Sequence, residues 1–225
     1  MNIHSLQPMA PPTHPKPASE PASRASQPAI GGKRSDKRVV TDKREAILDA
    51  ALELFVERGF FGTAVPEIAD RAGVGAGTIY RYFESKEALV NAIYRQQKTQ
   101  WGHLVLTDFP VAAPTREQFR LLWMRMAEWA TANPKAFIFM ELHHHQRYLD
   151  DESRALEERM LGLFTAVVVS AQARHELKAG PPRLIMGIVM GAFVGVIRSC
   201  VEIEQSLETA DWKLAEQILW EAVRA

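Results

Sequence analysis

Cysteine is almost missing from this chain. Cys200 stands alone, so no internal disulfide can form, and a reducing, cytoplasmic setting is expected. Long uncharged apolar runs are missing too. The longest, Leu184 to Ile197, covers 14 residues before Arg198 interrupts it. A membrane-spanning helix needs roughly 20, so this run reads as a buried core helix and no membrane association is expected. No basic start followed by an apolar core opens the chain, and no secretory leader is expected. Net charge is absent, with 27 Lys and Arg against 27 Asp and Glu, which argues against binding nucleic acid by bulk charge alone. Strand-like alternation and internal repeats are lacking. So are Gly-x-Ser-x-Gly, a phosphate-binding glycine loop and a separated pair of catalytic carboxylates. No enzyme and no cofactor is expected.

What is present is a globular composition, 47% hydrophobic and 24% charged, long enough to bury a core. The neutral total hides a segregation. Residues 33–98 carry a net charge of +2, residues 1–32 carry +1 and residues 99–225 carry −3. That tilt has the sign a DNA-facing N-terminal part needs, because neutralised phosphates supply much of the affinity.

Residues 1–32 hold seven of the thirteen prolines and no apolar period. Such a segment buries too little surface to offset the entropy of ordering it, so residues 1–38 are read as a disordered, proline-rich and basic extension. Lys33, Arg34, Lys37 and Arg38 follow Gly31-Gly32. They fit either a solvated linker or a basic arm entering a minor groove.

Thr63 to Lys86, TAVPEIADRAGVGAGTIYRYFESK, organises the rest. Ile68 and Ala72 are four apart and share one helix face; Ile79 and Tyr82 are three apart and share a second. Gly73 lies between them, where a helix ending in a left-handed residue favours the lack of a Cβ. Two short helices around a tight glycine turn describe a helix-turn-helix. Thr78, Tyr80 and Arg81 then point away from the core, as a helix lying in a major groove requires. An ordinary helical hairpin has the same spacing.

The wording separates the two. GVGAGTIYRYFESKEAL, with REAILDAALELFVERGFFGT before it, strongly resembles the N-terminal domain of the tetracycline-repressor-like (TetR) family of bacterial transcription regulators. The resemblance is specific from Arg44 to about Ile93. It implies an all-helical fold: a three-helix DNA-binding head over residues 39–84, then a linker helix and a ligand-binding and dimerisation domain over residues 85–225. It also implies contacts. Gly77 and Thr78 match the start of the recognition helix, Tyr80 and Tyr82 match aromatic positions along the phosphates, and Arg81 matches a variable base-facing position. Arginine there reads guanine through O6 and N7. Lys86 matches a phosphate-contacting lysine, and Val65 and Pro66 lie where the second helix approaches DNA. Many family members carry a hydroxyl cap where this chain has Gly75.

The helix boundaries follow from local chemistry. A first helix is expected from Thr41, as N-cap, to Arg58, with Gly59 stopping it. Thr63 is expected to cap the second, with Pro66 tolerated in its first turn. Ser85 should cap a fourth that runs to about Leu106. Phe119, Leu122, Trp123, Met126 and Trp129 then recur at helical spacing up to Asn133-Pro134. Phe137, Met140, His144 and Tyr148 form the next stripe, and Leu156 to Ala171 another. After Ala179-Gly180-Pro181-Pro182 comes a helix to about Ile203, then a last one from about Thr209 with Leu214, Ile218, Leu219 and Ala222 turned inward.

Trp123, Met126, Trp129, Phe137, Met140, His144 and Tyr148 are the residues expected to line an effector pocket, which the resemblance places among these middle helices. Gly187, Gly191 and Gly195 share a face, and each costs roughly 1 kcal/mol in a helix interior relative to alanine. Close approach of another helix explains them: either one of the same chain, or, as the resemblance implies, one from the second copy of a homodimer. His143-His144-His145 with Glu141 offers metal-ligand spacing on one helix. Adjacent residues point about 100° apart, and no second ligand pair completes a shell, so no metal is expected.

The reading is a dimeric DNA-binding regulator of a near-palindromic operator, released by a small molecule. The competing one is a ligand- or metal-responsive sensor acting through a protein partner.

Overall fold

The structure, a computed structural model, describes residues 34–142, 147–202 and 207–225. Helix α1 (Arg34–Arg58) ends at Gly59, whose φ of +70° suits a residue without a Cβ. Short helices α2 (Val65–Arg71) and α3 (Ala76–Tyr82) follow, joined through Gly73 at φ +65°. Helix α4 (Lys86–Leu106) is capped as expected, the Ser85 hydroxyl accepting from the Ala88 amide at 3.1 Å. Then come α5 (Thr115–Ala132), α6 (Pro134–Phe137), a π-helical stretch (Ile138–Leu142), α7 (Asp151–Ala173), α8 (Pro182–Glu202) and α9 (Thr209–Val223). The fold is all-α; among the described residues the one extended pairing is an isolated bridge between Leu177 and Arg224.

Two expected caps differ. Helix α1 starts at Arg34, because no Gly or Pro lies between Gly32 and Arg58 to stop it; Thr41 is inside the helix. Arg34, Lys37 and Arg38 are therefore helical, while Lys33 is outside the described residues. Thr63 does not cap α2. It is buried, donating its hydroxyl to the carbonyls of Leu54 (3.1 Å) and Gly59 (2.9 Å). Ala64 takes the N-cap place, and the free amide there is satisfied by Glu67 Oε2 at 2.9 Å.

The first core gathers Ile47, Leu48, Ala51, Leu54 and Phe55 of α1, Ile68, Ala69 and Ile79 of the short helices, and Leu89, Val90 and Ile93 of α4. It continues into Phe139 and Leu149, so the head is packed onto the body rather than strung from it. The second core holds Trp123, Trp129, Phe137, Phe193 and Trp212. The stripe expected as one regular helix from Phe137 to Tyr148 is broken by the π-helical stretch, which shifts the register. Phe137 enters the second core, Phe139 the first, and Met140 packs against both.

Helix α8 is not the buried helix its apolar run suggests. It is long and apolar enough to cross a membrane by length and composition, with mean hydropathy 1.7, yet only 11% of that window is buried. Ile185 and Phe193 face inward; Leu184 and Ile188 face out. On α9 only Leu219 of the four residues expected inward is buried. Leu214, Ile218 and Ala222 are exposed, because Trp212, Glu216, Leu219 and Val223 make the inner face instead.

Candidate functional site

The short helices place their side chains by simple periodicity. Ile79 is 1% exposed and anchors α3, which leaves Tyr80, 58% exposed, and Arg81 on the outer side. Gly77 is exposed with no atom within 4 Å of where a Cβ would stand. Thr78 and Tyr82 are half-buried. Gly75 holds the N-cap place in extended backbone; its carbonyl accepts from the Thr78 amide at 2.8 Å, and no side chain caps the first turn of α3. On α2, Pro66 is exposed and Val65 half-buried. Arg71 closes α2 onto α1 through Glu57 (3.1 Å) and Glu53 (3.3 Å).

Lys86 is placed differently from a free surface lysine. Its ammonium donates to the carbonyls of Phe60 (2.6 Å) and Thr63 (2.9 Å) and stands 4.1 Å from the Phe60 ring centroid. It ties α4 to the loop before α2.

A cavity of about 410 Å³ lies among α4, α5, α7 and α8, within the range that holds drug-sized ligands. Trp123 and Met126 stand on its wall. Trp129 and Phe137 are packed in the second core, and Met140 sits between the cores. Tyr148 lies against Phe60, 4.0 Å between ring centroids. His143, His144 and His145 lie outside the described residues.

Several lining residues escaped sequence reasoning: Lys98, Trp101, Glu141, Glu157, Met160 and Phe164. The apolar stripe of α7 was visible, but not which side of it faces a hollow. A glutamate next to such a stripe, as Glu157 is, was the only hint. Trp123 shapes the wall by donating its indole N–H to the Trp212 carbonyl at 3.0 Å, which docks α5 on α9. Burial pushes the Glu141 carboxyl up; Lys98 opposes that and Glu157 adds to it.

The glycines Gly187, Gly191 and Gly195 are exposed, with open space at each missing Cβ. Among the described residues, nothing packs within 4 Å of a Cβ placed at those three positions.

Two family models divide the chain at the start of its body. That for bacterial regulatory proteins of the tetR family matches residues 47–93. That for the tetracyclin repressor-like C-terminal domain matches residues 94–225. This chain belongs to the TetR family.

Among its relatives, the HTH-type transcriptional regulator RutR of Escherichia coli (strain K12) is 43% identical over 93 residues, 40% of this chain and 43% of RutR. The match thus spans less than half of that relative's length. The fatty acid metabolism regulator protein of Bacillus subtilis (strain 168) is 24% identical over 165 residues, covering 72% of this chain and 85% of that protein. A TetR-family transcription regulator from Marinobacter aquaeolei VT8 superposes with a TM-score of 0.74 at 24% identity, over 84% of this chain and 98% of the other. The FadR regulator of Bacillus subtilis, solved with stearoyl-CoA, gives 0.66 at 23% identity, over 78% and 97%. At those identities the likeness speaks for the fold.

Proposed function

We propose that this TetR-family chain is a DNA-binding transcription regulator, most simply a repressor that a small molecule releases from its operator. The observation that carries this is the presentation of α3, whose apolar residue Ile79 is buried while Tyr80 and Arg81 face solvent. Two such helices, entering successive major grooves about 34–36 Å apart, read a near-palindromic operator. Residues 39–84 act as the head and residues 85–225 as the effector and dimer part.

The second copy is supported by α8. Its exposed Leu184 and Ile188 lie along the open glycine face, and Leu214 and Ile218 of α9 are also exposed. An apolar surface of this kind on a soluble chain asks for cover. The effector enters the cavity of α4, α5, α7 and α8 and favours a tilt of α4 that moves the heads out of register. Ligand and DNA then weaken each other's binding by the same factor. The chain works in the cytoplasm, where its operator is.

A sensor acting through a protein partner is the less favoured reading, because it leaves the outward face of α3 without a role. A gel shift with the DNA flanking its own gene decides between them. Selective retardation that competitor DNA does not abolish supports the regulator; binding no tighter than to unrelated DNA rejects it.

A further inference from the structure

One end of the cavity departs from its apolar walls. Tyr94 and Lys98 of α4, Glu141 of the π-helical stretch and Glu157 of α7 meet there. The Tyr94 phenol donates to Glu157 Oε2. Burial, then that bond, push the phenol far above its ordinary value, so it stays a donor and Glu157 an acceptor. The Lys98 ammonium lies 5.3 Å from the Trp101 ring centroid and 5.8 Å from that of Tyr94. Among the described residues, two carboxyls thus meet one ammonium: Lys98 acts on Glu141, and Glu157 adds a second negative group that no further described cation offsets. Burying such a carboxyl as an anion is costly unless a positive group joins it. The rings of Trp101 and Tyr94 offer faces on which a cation is already held.

The hollow itself is the site, and the carboxyls decide which end-group it accepts. We propose that the cavity takes an amphipathic organic cation, with its apolar body among Trp101, Trp123, Met160 and Phe164 and its positively charged nitrogen between Glu141 and Glu157. This rests on reading the cavity as the effector site. A carboxylate head would bring a third negative group to the same corner. An uncharged head brings no positive charge to either carboxyl and gains nothing from them. Seating the cation favours the ionised form of Glu141 against the burial that disfavours it, so binding and proton release are linked.

The test uses three probes with the same ten-carbon chain, each below its micelle concentration: decyltrimethylammonium, 1-decanol and decanoate. Tryptophan fluorescence reports binding, since Trp101 and Trp123 line the cavity. Calorimetry in two buffers of different ionisation enthalpy reports the proton. The cation is expected to bind about tenfold more tightly than the alcohol, as a charge-assisted contact gives, with decanoate weakest and a proton released only for the cation. Glu141→Gln should bring the cation down to the level of the alcohol; circular dichroism checks that the variant is folded. Decanoate binding as tightly as the cation, or a preference that survives in both Glu141→Gln and Glu157→Gln, overturns the end-group assignment while leaving the cavity a ligand site. If none of the three binds, the cavity reading fails and the proposal falls with it.

Discussion

The ring of Tyr148 stacks on that of Phe60, with 4.0 Å between centroids and 22° between planes. Phe60 closes the base of the head, and Tyr148 is held from the body. Its carbonyl accepts from Asn91 Nδ2 at 2.6 Å, and Asn91 Oδ1 accepts from the Asp150 amide at 2.9 Å. Lys86 covers the same Phe60 ring. In the proposed release, this stack is where a tilt of α4 would reach the head. A double-mutant cycle of Phe60→Leu and Tyr148→Leu should give a coupling of about 1 kcal/mol in thermal or urea unfolding. Strictly additive losses would show that the stack joins nothing.

Arg81→Ala and Tyr80→Ala remove exposed side chains, so the melting temperature should hardly move. Operator affinity should fall by about 1–3 kcal/mol for Arg81→Ala, with relaxed selectivity at one base pair. Fluorescence anisotropy with operator and scrambled duplexes measures both. Unchanged, selective binding in both variants would remove α3 as the reading element.

Gly77→Ala separates stability from recognition. A Cβ there meets nothing in the free protein, so the helix should gain up to about 1 kcal/mol. In the proposed docking the start of α3 comes closest to the duplex, so the same methyl would crowd it there. Higher thermal stability with weaker operator binding is the expected pair of results.

Gly191→Leu tests the second copy. The chain alone has room for the side chain, and its helix content by circular dichroism should be kept. Sedimentation should show a dimer for the wild type and a monomer for the variant, with operator binding lost alongside. A variant that remains dimeric would place the interface elsewhere.

Acid stability follows from the carboxyls around Arg71. The Lys135 ammonium, 2.5 Å from Glu53 Oε1, holds the Glu53 carboxyl below its ordinary value of 4.5, and Arg71 does the same to Glu57. A depressed folded value means the unfolded chain binds protons first. The stabilisation is therefore complete above 4.5 and is lost as pH falls through the lowered folded values. Glu53 is half-buried and Glu57 exposed, so solvent screening keeps the effect modest. Glu53→Gln should flatten the dependence of melting temperature on pH in that acid range while costing little at neutral pH.

Local rules decided much of the fold. Gly59 and Gly73 take the left-handed backbone the sequence called for, Ser85 caps α4, and the Asn133-Pro134 pair ends α5. These features depend on a residue and its immediate neighbours, as does the outward turn of Tyr80 and Arg81 opposite Ile79. A four-residue period is enough to fix them.

Which apolar faces meet each other is a different matter, and only the tertiary structure decided it. Trp123 and Trp129 belong to one helical stripe, yet Trp123 reaches the cavity wall while Trp129 stays in solid core. Tyr148 shares a spacing with Phe137, yet it stacks on Phe60 while Phe137 enters the second core. Leu214 and Ile218 are as apolar as Leu219 and face outward all the same. Period and propensity carry the sides of a helix; the partner for each side is set by how distant helices cross. Glu141, Glu157 and Lys98 come from three elements, so no window of sequence contains the corner they form.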